Sequence, residues 1–314
     1  MDTPHAALSG STCLVTGGAG FIGSHLSRAL MEHGARVRVL DDLSTGHRRN
    51  LVSGVEFVEG SVSDGAAVGR AVAGCRFVFH LAAMVSVPQS VAEPERCVMS
   101  NIVGTQRVLS AAGAAGVQRV VLATTCAVYG DQPSLPSLET DPTMCCSPYA
   151  ASKLAGEALC QAFARNGGPS TACLRFFNVY GPGQDPKSAY AAVISAFGAA
   201  LREGRTPVIY GDGEQSRDFV YVGDVVRANI LAATAPEGLR GEVFNVGTGV
   251  RTSLLELLAL MASIAGRAAR ADHKEPRAGD VRHAQADISR IRARLGYEPA
   301  TRIEVGLRRT IEAM

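Results

Sequence analysis

Thr16-Gly17-Gly18-Ala19-Gly20-Phe21-Ile22-Gly23 follows the segment Leu8–Val15, which ends as a short apolar strand, and it opens a predicted helix at Phe21–His33. Its glycines at positions 17, 20 and 23 fit a Gly-x-x-Gly-x-x-Gly turn between a strand and a helix. Such a turn lets backbone amides and a helix N-terminus approach a pyrophosphate group. Because a glycine-rich turn without a ligand has the same pattern, the flanking sequence has to decide between the two interpretations.

An acidic pair follows the glycine turn. The predicted strand Val37–Leu40 ends in Asp41-Asp42, and an acidic side chain about 20 residues beyond the glycines accepts both ribose hydroxyls of adenosine. Such a carboxylate repels a 2′-phosphate, which favours NAD over NADP, with Asp41 as the ligand. Asp42 contacts the same ribose or is a helix cap or a solvated residue, and Arg48 and Arg49 leave NADP open because they can neutralise a phosphate.

Strands and helices continue to alternate through the first half of the chain. This alternation predicts an α/β fold, a doubly wound parallel sheet of the Rossmann type with helices on both faces. Ligands bind such sheets at the carboxyl ends of the strands. The glycine turn, Asp41, Ala82-Ala83 and Thr124-Thr125 all fall at such ends. The predicted strands are Val55–Val58, Arg76–Leu81 and Val120–Thr125, and the predicted helices are Asp64–Ala73 and Asn101–Ala115.

Tyr149 and Lys153 stand four residues apart in the predicted helix Tyr149–Phe163, which places them on one face. A neighbouring ammonium favours the phenolate of a tyrosine, whose ordinary pKa is about 10, so the pair predicts a general base. Lowering that pKa by about three units needs about 4 kcal/mol, which one lysine plus an oxidised nicotinamide ring can supply. A solvated helix face shows the same spacing. Thr125 ends a strand 24 residues earlier, where its hydroxyl serves either a substrate oxygen or the fold.

The second half of the chain alternates less regularly. The predicted strand Thr171–Phe177 is the last element of the predicted NAD-binding domain, residues 1–178. Residues 218–248 return to this domain. We expect 179–217 and 249–314 to form a smaller α/β substrate-binding lobe. The further predicted elements are the helices Ala189–Glu203, Asp224–Ala232, Leu254–Ala265, Asp287–Leu295 and Ile303–Ala313 and the strands Pro207–Tyr210, Arg217–Val222 and Phe244–Val246.

Composition narrows the class of protein. The 314 residues are 46% hydrophobic and 19% charged, with a net charge of +2, which suggests no nucleic acid and no anionic membrane as partner. We see no secretory signal at the N-terminus and no apolar stretch long enough to span a bilayer. The eight cysteines form no CxxC pair and no metal-ligand pattern with the seven histidines. Reduced thiols in a cytoplasmic protein without a metal site are therefore expected.

Seven stretches together resemble the extended short-chain dehydrogenase/reductase family, in order and at its usual spacings. Within that family the chain is similar to the nucleotide-sugar epimerases, and QDPKSAYAAVI (184–194) and RAGDVRHAQAD (277–287) resemble the bacterial UDP-N-acetylglucosamine 4-epimerases. The seven stretches are TGGAGFIG (16–23), VLDDLSTG (39–46), HLAA (80–83), SPYAASK (147–153), RFFNVYGPG (175–183), GDGEQSRDFVYVGDV (211–225) and FNVGTG (244–249).

The resemblance implies NAD-dependent epimerisation at C4 of a UDP-hexose. Tyr149 would take the proton of the sugar 4-hydroxyl, Lys153 would hold the nicotinamide ribose, and Thr125 would orient the 4-oxygen. A transient 4-keto sugar would then rotate and be reduced on its other face. Paired helices of family members usually form homodimers, for which Asn101–Ala115 and Tyr149–Phe163 are the candidates.

The resemblance also assigns binding residues. Asn101 would support the Tyr149–Lys153 pair. Asn178, Arg217 and Arg277 would hold the diphosphate and uridine. Further implied cofactor contacts are Gly17, Gly20, Phe21, Ile22, Gly23, Asp41, Asp42, Ser44, Thr45, Gly46, Leu81, Ala82, Ala83, Thr124 and Phe176. Further implied substrate contacts are Ser86, Cys126, Phe177, Gln215, Asp280 and Ala284, with Arg282 as a lesser candidate.

Departures from the family pattern bear on the reaction. Ser61 replaces an aspartate that contacts adenine, although Val62 can still pack on the ring, and Thr125 replaces a serine. Cys126 and Ala127 stand where the 4,6-dehydratases carry an aspartic acid and a glutamate. Ala127 supplies neither acid nor base, which favours an epimerase. An elimination through Cys126 stays open, as does a non-catalytic nucleotide-sugar or NAD sensor.

Ala284 occupies the position that the resemblance marks as a gatekeeper beside the sugar 2-substituent. A bulky side chain there would exclude an N-acetyl group, and alanine leaves room for it. The resemblance therefore favours UDP-GlcNAc and UDP-GalNAc as the substrate pair, with UDP-glucose and UDP-galactose as possible further substrates.

Overall fold

The computed structural model describes residues 4–132, 134–185, 193–276 and 281–314. Strands and helices alternate in it as the sequence predicted. The helices are α1 (Pro4–Leu8), α2 (Phe21–Glu32), α3 (Gly65–Val72), α4 (Val87–Ala92), α5 (Pro94–Cys97), α6 (Gly104–Ala114), α7 (Pro148–Arg165), α8 (Val193–Arg202), α9 (Val222–Thr234), α10 (Leu254–Ile264), α11 (Ser289–Leu295) and α12 (Ile303–Glu312). The strands are β1 (Thr12–Thr16), β2 (Arg36–Asp41), β3 (Glu56–Glu59), β4 (Phe77–His80), β5 (Arg119–Thr125), β6 (Ser170–Phe176), β7 (Asn178–Tyr180), β8 (Val208–Tyr210), β9 (Ser216–Arg217), β10 (Phe219–Tyr221), β11 (Arg240–Val246), β12 (Thr252–Ser253) and β13 (Asp272–Lys274).

Seven strands form one sheet in the order β11-β6-β5-β4-β1-β2-β3. Every pairing in this sheet is parallel. The chain leaves β1 toward β2 and β3 and then returns to β4 on the other side, so the strand order reverses between β1 and β4. Ligands of doubly wound sheets bind in the crevice at this reversal. The predicted Rossmann fold is therefore confirmed.

The sheet is buried on both faces by two apolar clusters. β5 has no exposed residue along its length, as expected for an inner parallel strand. A third cluster lies outside the sheet and joins α8, α10, α12 and the short strands β8 and β10. Much of that cluster comes from the predicted substrate lobe, whereas α11 packs on the large core beside β11. The division of the chain into two units stays a prediction.

Two predicted elements have different bounds for a local reason. The helix expected at Asn101–Ala115 becomes regular only at Gly104, because Val98–Val103 forms a π-helical turn that contains Asn101. The strand expected at Arg217–Val222 is divided at Asp218 into β9 and β10. Asp218 is fully buried, and its carboxylate accepts hydrogen bonds from several backbone amides, described below. The sequence pattern also missed the short helices α1, α4 and α5.

Candidate active site

The glycine turn lies at the strand-order reversal, and close backbone contacts decide its composition. Gly17 has a φ of +72°, and a Cβ there would lie 2.8 Å from the Ala82 nitrogen. A Cβ on Gly23 would lie 2.2 Å from the Gly17 carbonyl oxygen. Gly20 begins α2 without a side-chain cap, so the first amides of that helix remain available to a ligand. The turn therefore fits the pyrophosphate of a dinucleotide.

We expect Gly23→Ala to weaken NAD binding by about 5- to 150-fold. The new methyl group overlaps the Gly17 carbonyl and the Gly18 Cα, 2.7 Å away, so α2 or the turn has to move, at a cost of about 1–3 kcal/mol. Isothermal titration with NAD measures the affinity. Gly69→Ala is the matched control, since it lies in α3 with nothing within 4 Å of the added Cβ. NAD affinity within twofold of wild type in Gly23→Ala would contradict the assignment.

Asp41 ends β2 beside the turn and is 7% exposed. Its carboxylate accepts hydrogen bonds from the Ala19 nitrogen at 2.9 Å and the Leu43 nitrogen at 2.8 Å. Burial raises the pKa of Asp41, and these two bonds oppose that shift. A carboxylate oxygen has lone pairs beyond the one that each amide uses. The geometry thus suits a ribose diol.

The other residues near Asp41 bear on the choice between NAD and NADP. Asp42 is exposed, and its carboxylate accepts from the Ser44 nitrogen at 3.0 Å. The Arg48 guanidinium forms an ion pair with Glu59 and lies 5.1 Å from the centre of the Phe57 ring. Arg48 is therefore engaged with a carboxylate on β3. This arrangement supports the prediction of NAD over NADP.

Thr125, Tyr149 and Lys153 come together at the carboxyl end of β5. The Lys153 ammonium donates to the Ala123 carbonyl at 2.9 Å, and Thr125 hydrogen-bonds Tyr149. Burial lowers the pKa of Lys153 to about 8 and raises that of Tyr149 to about 12, a shift that the bond from Thr125 opposes. The phenolate expected from Lys153 is thus not produced by the protein alone. The sequence pattern placed the two residues on one face but did not show that a backbone carbonyl holds the ammonium.

Asn101 supports α7, the helix of Tyr149 and Lys153, through side-chain hydrogen bonds. Its amide nitrogen donates to the Ser152 hydroxyl at 2.9 Å and to the Met84 carbonyl at 3.0 Å, and its oxygen accepts from the Met84 nitrogen at 2.8 Å. Ser152 precedes Lys153 on α7. Ser90 was missed by sequence reasoning, although its hydroxyl accepts the Tyr149 nitrogen at 3.1 Å. A serine in a short helix carries no local signal of such a contact.

Asp218 organises the segments that carry the predicted substrate contacts Arg217 and Ala284. Its carboxylate accepts from the backbone nitrogens of Thr248 at 2.8 Å, Gly249 at 2.9 Å and Ala286 at 3.2 Å, and from the Thr248 hydroxyl at 2.7 Å. Asp218 follows Arg217 directly, and the Ala284 nitrogen donates to the Ser216 carbonyl at 3.0 Å. Arg217 and Ala284 are therefore held close together on neighbouring segments. Asp218 was not among the predicted site residues.

Cys126 lies in the 3₁₀ turn Cys126–Val128 that follows Thr125. Burial raises the pKa of its thiol to about 12, while the positive charge of Arg217 opposes the shift. The thiol is therefore protonated at neutral pH and is a weak acid. A weak acid is a poor proton donor to a leaving hydroxyl, so this state favours a packing role over the acid of an elimination.

Several residues that were predicted to contact a ligand have partners within the protein. The Thr124 hydroxyl donates to Glu157 at 2.8 Å, and the buried Glu157 pairs with Arg175. Phe177 is 5% exposed and packs in the core near Tyr129, 6.3 Å between ring centres. Val62 is 4% exposed and lies against Gly104. Their contacts with a ligand stay predictions, and a core role explains each of them as well.

Five further predicted residues form hydrogen bonds within the protein. Ser86 caps α4 by accepting from the Gln89 nitrogen at 3.0 Å, and Ser61 hydrogen-bonds Ser63 at 2.8 Å. Gln215 donates to the Tyr210 carbonyl at 2.5 Å, and Arg282 forms an exposed bidentate pair with Asp212. Asn178 begins β7, where its nitrogen donates to the Asp218 carbonyl at 3.0 Å. Arg277 and Asp280 lie outside the described residues.

All eight cysteines carry free thiols. Within residues 4–132, 134–185, 193–276 and 281–314, no group of three or more His, Cys, Asp or Glu side chains is arranged to hold a metal ion. In the same ranges, no helix is long and apolar enough to cross a membrane.

Known proteins share this architecture along nearly their whole length. A curated relative from Mycolicibacterium smegmatis, named UDP-glucose 4-epimerase, is 41% identical over 95% of this chain and 97% of its own. The solved UDP-N-acetylglucosamine 4-epimerase from Methanobrevibacter ruminantium M1, in complex with UDP-N-acetylmuramic acid, is 36% identical with a TM-score of 0.93, covering 97% of this chain and 98% of that one. The UDP-glucose 4-epimerase of Thermotoga maritima, solved with UDP-glucose, is 40% identical with a TM-score of 0.92, covering 96% and 98%.

The sugars in these names differ, whereas the fold is shared. Residues 13–247 match the model of the NAD dependent epimerase/dehydratase family. This match includes the glycine turn, Asp41 and the Thr125–Tyr149–Lys153 group. The chain therefore belongs to the NAD dependent epimerase/dehydratase family, and its cofactor is NAD.

Proposed function

We propose that this protein is a UDP-sugar 4-epimerase that interconverts UDP-GlcNAc and UDP-GalNAc and also accepts UDP-glucose and UDP-galactose. The observation that carries the proposal is the grouping of Thr125, Tyr149 and Lys153 at the end of β5, which only β4 separates from β1 and the glycine turn. The relatives named above support the 4-epimerase reaction. They differ in the sugar, so the substrate rests on Ala284.

Bound NAD would accept a hydride from C4 of the sugar and return it to the opposite face. The glycine turn and the uncapped start of α2 would hold the pyrophosphate, and Asp41 would hold the adenosine ribose. Leu81, Ala82 and Ala83 line the adjoining end of β4. Ser44, Thr45, Gly46 and Phe176 complete the proposed contacts.

Tyr149 would accept the proton of the 4-hydroxyl and later return it to the same oxygen. Burial holds its pKa near 12 in the protein alone, so a positive charge beside the ring has to favour the phenolate. Lys153 is held by its hydrogen bond to the Ala123 carbonyl, and its ammonium would bond the nicotinamide ribose. Thr125 donates to the Tyr149 oxygen and would orient the 4-oxygen of the sugar.

The UDP group would be bound by Arg217, Asn178 and Arg277, since guanidinium groups match phosphate oxygens. Arg217 and Arg277 belong to the proposed lobe of 179–217 and 249–314, and Asn178 is the last residue of the proposed NAD-binding segment 1–178. Asp218 would fix Arg217 relative to the loops that carry Thr248 and Ala286. Firm binding of UDP with loose binding of the sugar allows a 4-keto sugar to turn over without leaving.

Ala284→Tyr is expected to lower activity on UDP-GlcNAc at least about tenfold more than activity on UDP-glucose. Ala284 is partly buried beside the segment of Arg217, and a phenol ring there would occupy the space of the N-acetyl group. kcat/KM for both substrates measures the ratio. Ala66→Tyr is the control, because Ala66 is exposed at the start of α3. Equal losses on both sugars would contradict the gatekeeper role.

Proton NMR of the purified protein with UDP-GlcNAc in D2O tests the proposal, with NAD+ added to a parallel tube. Formation of UDP-GalNAc with H5 retained is expected, because epimerisation at C4 leaves the C5–H bond intact. Loss of H5, or new alkene or 6-deoxy signals, would replace the proposal with a dehydratase that uses Cys126. No reaction of UDP-GlcNAc or UDP-glucose, with NAD bound, would favour a sensor.

We further propose a homodimer formed by the outer faces of α6 and α7. Both helices expose small side chains, among them Ser110, Ala151, Ala158 and Ala162. Such residues let two helices approach closely. Light scattering decides this point, since two chains of 32.8 kDa give twice the mass of one, and a single-chain mass would refute the dimer.

A further inference from the structure

His80 ends β4 at the strand-order reversal and is 1% exposed. Both nitrogens of its ring have partners. Nδ1 lies 2.7 Å from the hydroxyl oxygen of Thr16, the last residue before the glycine turn. Nε2 lies 3.1 Å from the hydroxyl oxygen of Thr105, in the first turn of α6. The imidazole thus joins the end of β1 to the helix that follows Asn101.

The direction of each hydrogen bond follows from the number of protons available. The Thr105 hydroxyl donates its one proton to the Asn101 carbonyl at 2.5 Å, so its oxygen has to accept from Nε2–H of His80. A neutral ring then has an acceptor at Nδ1, to which the Thr16 hydroxyl donates. The Thr16 oxygen itself accepts the Ala82 nitrogen at 3.1 Å. One directed chain of hydrogen bonds therefore runs from the Ala82 nitrogen to the Asn101 carbonyl.

A neutral ring is also what its surroundings favour. Burial and the charge of Lys153 lower the pKa of His80 to about 3. A second positive charge near Lys153 is therefore disfavoured. The Nε2–H tautomer satisfies every donor and acceptor in the chain, whereas the Nδ1–H tautomer would leave Nε2 facing an oxygen that has no proton to give.

We propose that His80, as the neutral Nε2–H tautomer, is a positioning residue that sets the glycine turn and Ala82 relative to the helix of Tyr149 and Lys153. From Asn101 the chain continues through its side chain to Ser152 on α7 and to both backbone groups of Met84. The glycine turn, which would bind NAD, and α7, whose Tyr149 would transfer the proton, are thereby fixed relative to each other. The effect on turnover rests on the proposed epimerase function, but the tautomer and the NAD affinity do not.

The first measurement is a long-range ¹⁵N–¹H correlation spectrum of wild-type protein labelled at histidine. We expect His80 to show a protonated Nε2 and an unprotonated Nδ1, unchanged from pH 8 to pH 5. The Nδ1–H tautomer, or titration near the ordinary histidine pKa, would overturn the proposal. This spectrum needs no substitution and is independent of the reaction.

Substitutions of His80 separate the contributions of the hydrogen bonds at Nδ1 and Nε2. His80→Asn keeps an acceptor near the position of Nδ1, His80→Gln keeps a donor near that of Nε2, and His80→Leu removes both. We expect His80→Leu to weaken NAD binding and lower kcat by about tenfold or more each, with the KM for the UDP-sugar within about twofold. His80→Asn and His80→Gln should each recover part of the loss. A merely structural role would lower the Tm of all three and leave the NAD affinity of the folded protein unchanged.

Thr105→Val keeps the shape of the side chain and removes one hydroxyl, which accepts from Nε2–H and donates to the Asn101 carbonyl. It therefore breaks the chain of hydrogen bonds between His80 and Asn101 and serves where the His80 variants fold poorly. We expect a several-fold loss in kcat with an intact fold. NAD affinity and kcat within twofold of wild type, in both Thr105→Val and a folded His80→Leu, would refute the proposal. Wild-type protein that binds NAD and shows the expected tautomer but converts no UDP-sugar would refute the epimerase assignment alone.

Discussion

Tyr149→Phe is expected to lower kcat for 4-epimerisation by about 10²–10⁴-fold, the usual contribution of a general acid–base group. The substitution removes the oxygen that hydrogen-bonds Thr125 and that, in the proposed reaction, would accept the proton of the sugar 4-hydroxyl. NAD binding should stay within about twofold, because the glycine turn and Asp41 are untouched. Steady-state assays with UDP-GlcNAc and UDP-glucose, beside titration of NAD, measure both quantities.

The matched control is Tyr221→Phe. Tyr221 lies at the start of α9 with its ring 5.7 Å from that of Tyr180, so the same hydroxyl is removed at a place without a proposed catalytic role. We expect its kcat to stay within about twofold of wild type. More than a few per cent of wild-type activity in Tyr149→Phe would rule out Tyr149 as the general base.

Tyr149 also explains why the catalytic chemistry was only partly readable from the sequence. The spacing to Lys153 follows from helical periodicity, and α7 confirms that both residues lie on one helix. The protonation state depends on burial and on Thr125, Cys126 and Cys97, which lie far apart in sequence. A local pattern therefore predicted the pair but not that the protein alone favours the neutral phenol.

The glycine turn was predictable from the sequence because steric contacts require its glycines. Gly17 and Gly23 have no room for a side chain because backbone atoms lie within 3 Å of the Cβ position. Such contacts restrict the sequence to glycine and leave a visible pattern. Asp41 was also predictable from the sequence, because the fold sets its position at the end of a strand.

Residues that position others left no such pattern. His80, Ser90 and Asp218 bind partners 25 to 68 residues away in the chain. His80 and Asp218 fall within stretches that carry the family resemblance, HLAA (80–83) and GDGEQSRDFVYVGDV (211–225), but the resemblance assigned them no role. Asp218 even appeared to lie within a continuous strand, because its polar role depends on loops at Thr248 and Ala286. Long-range hydrogen bonding is thus the part of the site that required the structure.

Lys153→Met is expected to lose activity and gain stability together. At neutral pH the buried ammonium is disfavoured, because burial lowers the pKa of Lys153 from 10.5 to about 8. That difference corresponds to about 3 kcal/mol, and the Ala123 carbonyl left without its donor returns about 1 kcal/mol of it. We therefore expect the free energy of unfolding at pH 7 to rise by about 2 kcal/mol, while kcat falls at least about a hundredfold.

The sign of this change in the free energy of unfolding can be tested by varying the pH. Between about pH 8 and 10.5 the unfolded chain holds the Lys153 proton more tightly than the folded chain, so this group makes wild-type stability rise with pH. The advantage of Lys153→Met should thus be full below pH 8 and disappear as the pH approaches 10.5. Chemical denaturation without added NAD measures it, with the exposed Lys274→Met as control. An unstable Lys153→Met at pH 7, or a pH-independent difference, would show that the ammonium is stabilised in the fold, and that activity does not come at the cost of stability here.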